Sequence, residues 1–287
     1  MLAAVLASTY AHALETLANS NLQIRPRTVA AGPSLDVTIY ELAEPRELVE
    51  LWMASGEEGL GALGGGSTPQ HDPFGVVLWP GAALAAQLLS SNADALRGRT
   101  VLALGAGTGL EALSAAHLGA GRVLACDVNP LALALLRHGA ERAGLAERVE
   151  TRTLDLFDEA DALPAADVLL CSDLLYNPEL AHQVGRRCGE ALAAAEERSS
   201  KLSLLVTDSQ RFQGGGDGFS RGLLSRLPSD AARDAAEAAL GWQATHLEQF
   251  TGSGILVEGD QTYDIDARFI SMWPATPLVG ASSNVVL

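Results

Sequence analysis

Three glycines at alternating positions follow the short apolar segment 101–104. Gly105, Gly107 and Gly109 allow the backbone to turn sharply and to approach a bound molecule closely. The segment that follows them is predicted to be a helix, and the first turn of a helix offers free N–H groups to an acceptor. The pattern is therefore typical of a loop that binds a ligand, although a purely structural turn would use the same residues.

An acidic residue ends the next predicted strand. Asp127 lies 22 residues after Gly105, where an acid in this kind of α/β unit accepts hydrogen bonds from ribose hydroxyls. Leu110 occupies the position at which dinucleotide-binding loops carry a third glycine, which disfavours NAD. The glycine turn and Asp127 together favour a nucleoside-containing cofactor. The alternative for Asp127 is a structural role in the turn before the helix that Asn129 caps.

A second group of polar residues follows a later strand. Ser172, Asp173 and Tyr176 come directly after the predicted strand 168–171. In an open α/β sheet, ligands bind at the carboxyl ends of the strands, so these side chains are expected beside the same cleft. A carboxylate and a phenol there could orient an amine and accept its hydrogen bonds. The spacing leaves open a second interpretation, in which Asp173 caps a turn and Tyr176 packs over it.

The elements that must position these residues alternate between strand and helix. Strands are predicted at residues 101–104, 123–126, 149–154, 168–171, 202–207, 242–250 and 263–273. Asn129-Pro130 and Asn177-Pro178 each open a helix with a capping residue followed by proline, and Ser229 caps another. This alternation predicts an α/β, doubly wound, mostly parallel sheet covered on both faces. The last two strands have no helix between them and are expected to pair as a terminal antiparallel hairpin.

The chain divides into two parts in this interpretation. Residues 1–70 are predicted to be an N-terminal accessory segment, and residues 71–287 are predicted to be the main α/β domain. The accessory segment combines a helix at residues 2–17, a hairpin at residues 23–30 and 35–41, a short helix after Pro45 and a glycine-rich loop at residues 56–75.

Composition excludes several classes of protein. The 287 residues carry 19 Lys and Arg against 35 Asp and Glu, a formal net charge of −16. We therefore expect no binding to nucleic acid or to anionic membranes, and an attraction to basic protein segments, with solubility as the alternative role of the charge. No apolar stretch reaches the length of a membrane span. The three cysteines form no CxxC pair and are expected to be buried free thiols, which suggests a reducing compartment.

Two further expectations follow from these residue counts and spacings. The six histidines are scattered along the chain, so no metal site is predicted. We expect a cytoplasmic monomer, with import into an organelle as the alternative for its location.

Five segments of the chain occur in an order that is similar to one known family. They are residues 74–81 (FGVVLWPG), the glycine turn, Cys126-Asp127, residues 154–157 (LDLF) and residues 172–176 (SDLLY). Together they resemble methyltransferase family 16, the seven-strand, S-adenosylmethionine-dependent protein-lysine methyltransferases. The hallmark of that family is Asp-x-x-Tyr after the fourth strand, which Asp173 and Tyr176 match. The resemblance covers residues 74–177, extends loosely to the C-terminal strands and leaves out the first 70 residues.

The resemblance implies a fold, a cofactor and a set of roles. The fold would be the Rossmann-like, seven-stranded sheet of class I methyltransferases. The chain would be an N-methyltransferase of class EC 2.1.1 that uses S-adenosyl-L-methionine and modifies an exposed lysine in a basic surface of a protein partner. The cofactor-binding residues would be Trp79, Gly105, Gly107, Gly109, Asp127, Asp155 and Ser172. Asp173 and Tyr176 would face the target nitrogen as the catalytic residues. The Trp-Pro-Gly form of residues 79–81 is also similar to relatives that methylate electron-transfer flavoprotein or ribosomal proteins.

One position departs from the family pattern. Ala103 stands two residues before the first glycine, where the family has an acid that helps to hold the methionine amine of the cofactor. Glu111 is the acid nearest to this turn on its C-terminal side, in the predicted helix. Three alternatives remain at this point: a small-molecule methyltransferase, a non-catalytic interaction protein on the same fold, and a nucleotide-dependent oxidoreductase.

Overall fold

The structure is a computed structural model that describes residues 23–46, 73–210, 214–252, 261–272 and 285–286. In these ranges a two-stranded sheet precedes an eight-stranded sheet. The helix predicted at residues 2–17, the segment after Arg46 and most of the predicted glycine-rich loop lie outside the described residues. No helix in the described ranges combines the length and the apolar character that a membrane span requires.

The described elements follow the alternation that the sequence predicts. The strands are β1 (Ile24–Gly32), β2 (Leu35–Leu42), β3 (Thr100–Leu104), β4 (Arg122–Asp127), β5 (Val149–Thr153), β6 (Val168–Ser172), β7 (Ser203–Asp208), β8 (Gln243–Thr251), β9 (Thr262–Met272) and β10 (Val285–Val286). The helices are α1 (Pro80–Ser90), α2 (Leu110–His117), α3 (Pro130–Arg142), α4 (Pro178–Glu197), α5 (Gly215–Leu224) and α6 (Asp230–Ala239). A 3-10 turn at Pro73–Val76 leads towards α1.

The large sheet has the strand order β10-β8-β9-β7-β6-β3-β4-β5. Strands β3 to β7 run parallel to one another, whereas β9 is antiparallel to both β7 and β8. The doubly wound sheet and its terminal antiparallel hairpin are therefore as predicted. The seven predicted strands are joined by an eighth, β10, which pairs in parallel with β8 through two residues. The chain order reverses between β3 and β6, and this switch point is where sheets of this type bind their ligands.

Both faces of the sheet are buried. Val101 and Ala103 belong to an apolar cluster that α1, α2 and the β1–β2 hairpin cover. Leu102 and Leu104 point the other way, into a second cluster that α4 and α5 cover. Burial on both faces explains why the sequences of the central strands are almost continuously apolar.

Side chains and prolines fix where the helices begin. The side-chain oxygen of Asn129 accepts hydrogen bonds from the N–H groups of the first turn of α3, and Asn177 does the same for α4. Ser229 caps α6 in the same way. These three caps are confirmed as predicted, and each satisfies backbone donors that would otherwise lack partners.

The β1–β2 hairpin is held to the main sheet by a buried acid. Glu41 is fully buried, and its carboxylate accepts hydrogen bonds from the Arg25 Nε–H (3.0 Å) and from the backbone N–H of Leu78 (3.2 Å). Arg27 also pairs with this carboxylate and donates to the carbonyl oxygen of Thr251 (2.8 Å) at the end of β8. The predicted hairpin is thus present and packs against the domain. The predicted boundary at residue 70 stays a prediction.

Replacement of Glu41 tests this attachment. Glu41→Gln removes the negative charge on which two guanidinium groups converge, and we expect the free energy of unfolding to fall by about 2–4 kcal/mol. Urea unfolding monitored by circular dichroism measures the loss. The control is Glu150→Gln, which breaks an exposed pair with Arg122 and should cost less than about 1 kcal/mol. Equal losses for the two variants would contradict the prediction.

Candidate active site

A pocket opens at the carboxyl ends of β3, β4 and β6. Its empty volume is about 960 Å³ when it is counted out to its open mouth. The described residues that line it are Phe74, Gly75, Trp79, Gly105, Gly107, Asp127, Val128, Leu154, Asp155, Leu156, Phe157, Ser172, Asp173, Leu174, Tyr176 and Leu180. Three of these lining residues are acidic and none is Lys, Arg or His. The pocket therefore combines apolar walls with a negative charge that no described lining residue offsets.

The glycine turn forms one side of the pocket. Gly105 and Gly107 line it with φ angles of +58° and +50°, in the left-handed region that glycine adopts without strain. A Cβ atom on Gly105 would lie 2.3 Å from a methyl carbon of Leu174, so the close packing also requires glycine. Gly109 does not line the pocket. It caps α2 and would place a Cβ atom 2.3 Å from Leu136, so the structure gives it a packing role.

Asp127 fixes the glycine turn from the neighbouring strand. Its carboxylate is 8% exposed and accepts hydrogen bonds from the backbone N–H groups of Gly107 and Asn129, both at 2.8 Å. The carboxylate also lines the pocket, where it presents a negative charge and hydrogen-bond acceptors to a ligand. The two interpretations of Asp127 left open by the sequence are thus compatible: it supports the turn and lines the cleft.

An aromatic wall lies opposite the strand ends. The Trp79 indole Nε1–H donates to the carbonyl oxygen of Phe74 (2.7 Å), and the two rings meet edge to face. Tyr176 packs edge to face on the other side of Phe74, with ring centroids 6.2 Å apart. Phe74 therefore joins the two predicted aromatic site residues. The sequence analysis did not predict that Phe74 is a site residue. The Phe74-Gly75 pair, which begins five residues before Trp79, could have indicated it.

Asp173 is held more tightly than its predicted role requires. It is 6% exposed and adopts φ of +55°, an unfavourable backbone conformation for a residue with a side chain. One carboxylate oxygen accepts from the Gly81 N–H at 2.6 Å and the other from the Ser209 N–H at 2.7 Å. Asp173 thus links α1 and the segment after β7 to its own loop, contacts that neither interpretation from the sequence predicted, and it also lines the pocket.

Two more predicted residues complete the lining. Asp155 accepts a hydrogen bond from the Phe157 N–H at 2.9 Å, which turns the chain beside the pocket. Ser172 is 8% exposed, and its buried Oγ has no hydrogen-bond partner in the structure. A buried hydroxyl without a partner is costly, so Ser172 offers a polar group that a ligand can satisfy.

A further buried acid follows the glycine turn and is not among the described residues that line the pocket. Glu111, in the first turn of α2, is 2% exposed, and its Oε2 has no hydrogen-bond partner. The pKa of Glu111 is raised to about 8: burial is the largest cause, the charges of Asp127 and Asp173 also raise it, and a hydrogen bond from its own backbone N–H lowers it. The protonated form therefore predominates at pH 7. The sequence placed Glu111 near the turn but gave no sign of its burial or of its proximity to both carboxylates.

The comparisons with known proteins agree with this geometry. Residues 68–185 match the sequence model of the lysine methyltransferase family. The matched segment is less than half of the chain, and the match is to the family that the motifs of the sequence resemble. Together with the sheet order, it identifies the α/β fold of class I methyltransferases.

The similarity to individual relatives extends over less than half of this chain and of each relative. The chain is 33% identical to the human electron transfer flavoprotein beta subunit lysine methyltransferase over 42% of this chain and 46% of the relative. It is 37% identical to the ribosomal protein L11 methyltransferase of Pelotomaculum thermopropionicum, over 38% of this chain and 36% of the relative. The chain thus spans half or less of the curated relatives that it matches. A solved 16S rRNA N2 G1207 methyltransferase from T. thermophilus aligns with a TM-score of 0.45 and 16% identity, covering 88% of this chain and 51% of that structure.

The buried acid predicts an unusual dependence of stability on pH. The pKa of Glu111 rises from 4.5 to about 8 on folding, so between these values the folded state holds a proton that the unfolded chain releases. The contribution of Glu111 to stability is therefore complete below pH 4.5 and is lost as pH rises through 8. Glu111→Gln lacks this loss, so its stability relative to the wild type should increase by roughly 3–5 kcal/mol from pH 5 to pH 8.5.

Urea unfolding of both proteins at pH 5, 7 and 8.5 measures this difference. Glu141→Gln, which changes an acid in an exposed helical pair, serves as the control and should show little dependence on pH. A difference between Glu111→Gln and the wild type that stays constant, or that shrinks with rising pH, would refute the interpretation.

Proposed function

We propose that this protein is an S-adenosylmethionine-dependent N-methyltransferase that modifies lysine side chains of a protein substrate. The observation that carries the proposal is the acidic pocket at the switch point of a class I methyltransferase sheet, inside the segment that matches the lysine methyltransferase family. One relative, the human electron transfer flavoprotein beta subunit lysine methyltransferase, is named for a protein substrate. This supports a protein as the substrate class here.

The charge of the pocket favours a cationic cofactor over a dinucleotide. S-adenosylmethionine brings a sulfonium and an ammonium group, whereas NAD brings two negative phosphates. Asp127, Asp155 and Asp173 line the pocket without a basic residue among the described lining residues. A diphosphate held there would face uncompensated like charges, which is strongly unfavourable in a partly buried site. The oxidoreductase alternative is therefore disfavoured by the charges as well as by Leu110.

The residues of the pocket fit the proposed cofactor. The carboxylate of Asp127 lines the pocket beside the glycine turn and is an acceptor of the kind that ribose hydroxyls need, and the unpartnered Oγ of Ser172 suits a donor or acceptor of the ligand. A Cβ atom on Gly107 would lie 3.2 Å from the Gly75 carbonyl oxygen, so glycine keeps the approach to the turn open. When bound, S-adenosylmethionine supplies an electrophilic methyl group on a positively charged sulfur.

The acceptor side of the pocket suits a cationic amine. A lysine amine has a reference pKa near 10.4 and must lose a proton to water before its nitrogen attacks the methyl group. Asp173 attracts the ammonium form and, because two backbone N–H groups hold its carboxylate, keeps the amine in one place. Tyr176 and Phe74 exclude water beside it. Positioning of the nitrogen at about 3–3.5 Å and in line with the bond that breaks accounts for most of the acceleration.

The net charge favours a substrate with basic neighbours around the lysine. A chain with a formal charge of −16 attracts a basic protein surface and repels small anionic metabolites. Such steering acts through water and is screened by salt. We therefore propose that the target lysine lies in a basic surface, and that the small-molecule alternative is the weaker one.

Transfer of a labelled methyl group tests the function. The purified chain is incubated with methyl-labelled S-adenosylmethionine and a cell lysate divided into protein and small-molecule fractions. Label is expected in protein and, after hydrolysis, in methylated lysine, and the rate at limiting substrate should fall as salt rises from low to physiological concentration. Label confined to small molecules, or a rate that is flat or rises with salt, would overturn the proposed substrate class. Tight binding of NAD without methyl transfer would overturn the enzyme class.

Substitutions of Asp127 and Tyr176 are expected to affect different steps: the first should weaken cofactor binding, and the second should slow methyl transfer. Asp127→Ala should weaken binding of S-adenosylmethionine at least about tenfold, because hydrogen bonds to a charged acceptor contribute about 1.5–3 kcal/mol each. Tyr176→Phe keeps the ring against Phe74 and should slow transfer while it changes the dissociation constant less than about twofold. Calorimetry and single-turnover rates measure the two effects. If Asp127→Ala leaves the dissociation constant unchanged, Asp127 does not bind the cofactor.

A further inference from the structure

We propose that Glu111 holds the ammonium group of the methionine portion of S-adenosylmethionine, and so replaces the acid that is missing at Ala103. The inference rests on the proposed function and adds a cofactor-binding residue that comes from α2 rather than from β3. It gives a ligand to a buried carboxyl group that the mechanism above does not use.

The position of Glu111 in the fold matches that of the missing acid. Ala103 is fully buried on the face of β3 that α1 and α2 cover, while its neighbours Leu102 and Leu104 face the other side of the sheet. Glu111 begins on that same covered face, as the second residue of α2. A carboxyl group reaching down from α2 and one reaching up from position 103 therefore enter the same layer, and the small side chain of Ala103 leaves room for the former.

The Glu111 carboxyl lies within electrostatic range of two acids that line the pocket. It interacts with the charges of both Asp127 and Asp173. Asp127 ends β4 and Asp173 follows β6, and β3 lies between these two strands in the sheet. A group near both acids therefore lies towards the carboxyl end of β3, where the glycine turn lines the pocket.

The unsatisfied oxygen of Glu111 points to a ligand. Oε2 is buried and has no hydrogen-bond partner, although the residue is only 2% exposed. A glutamine or an apolar residue would avoid the cost of this buried acid if its role were only packing. An ammonium group offers three N–H donors and a positive charge, which satisfy both the free oxygen and the surrounding negative field. Since burial is the main cause that raises the pKa of Glu111 to about 8, the carboxyl is mostly protonated at pH 7 in the absence of a cation, and binding of the ammonium group releases this proton to the solvent.

The test compares two ligands that differ in one amino group. Binding of S-adenosylhomocysteine and of its analogue with hydrogen in place of the α-amino group is measured by calorimetry on the full chain. The wild type should prefer the amine-bearing ligand at least about tenfold, and Glu111→Gln should reduce this preference to less than about threefold. Affinity for the analogue should be the same in both proteins within about twofold.

Two further variants control for effects on folding. Ser114→Ala changes another buried polar residue of α2, whose Oγ–H donates to the Leu110 carbonyl oxygen, and should keep the full preference. Ala103→Asp added to Glu111→Gln returns an acid to β3 and should restore part of the preference. If Glu111→Gln does not fold, as judged by circular dichroism, Glu111→Asp replaces it. This variant keeps the charge with a shorter reach and should reduce the preference at least about threefold.

The other possible results of the binding experiment would overturn either the role of Glu111 alone or the proposed function as well. A wild type that shows no preference between the two ligands, a Glu111 variant that keeps the full preference, or one that loses affinity for both ligands equally would overturn the role of Glu111 and leave the proposed function standing. A wild type that binds neither ligand would overturn the proposed function, and the inference about Glu111 with it.

Discussion

The carboxylate of Asp173 ties together the three segments on which the cleft depends. It accepts hydrogen bonds from the backbone N–H of Gly81 in α1 and from that of Ser209 after β7. The Asp173 N–H in turn donates to the Thr207 carbonyl oxygen, and the Thr207 hydroxyl donates to the Gly81 carbonyl oxygen. These bonds offset the cost of the left-handed backbone at Asp173, a kind of strain that is usual at functional sites. The loop after β6 is therefore fixed before any ligand arrives.

The same arrangement determines the charge of the cleft. Asp127, Asp155 and Asp173 all accept backbone N–H groups of the loops around them. The acids that shape the pocket thus also supply its negative field, and one residue serves both purposes at each strand end. Buried Glu111 adds a fourth carboxyl group near Asp127 and Asp173, which stays protonated until a cation compensates it. A site built in this way selects for positive charge in what it binds.

Local signals in the sequence predicted most of the architecture, and long-range packing explains what they missed. Helix α5 was not predicted, because its glycine-rich segment has a low helix propensity. It forms because it crosses α4 at close range: a Cβ atom on Gly222 would lie 2.0 Å from the His182 carbonyl oxygen, and one on Gly185 would lie 2.0 Å from that of Phe219. The two-residue strand β10 was missed for a similar reason, since only pairing with β8 defines it.

The sequence by itself determined the order of the strands and helices of the main domain apart from α5 and β10, the caps at Asn129 and Asn177, and which strand ends carry polar residues. These features depend on neighbours within a few positions, so the local pattern is sufficient for them. Only the tertiary structure decided that Gly109 packs against Leu136 and does not line the pocket, that Asp173 links three segments, and that one oxygen of the buried Glu111 has no hydrogen-bond partner. Each of these depends on contacts between residues far apart in the chain, where burial and nearby charge, rather than residue type, set what a side chain can do.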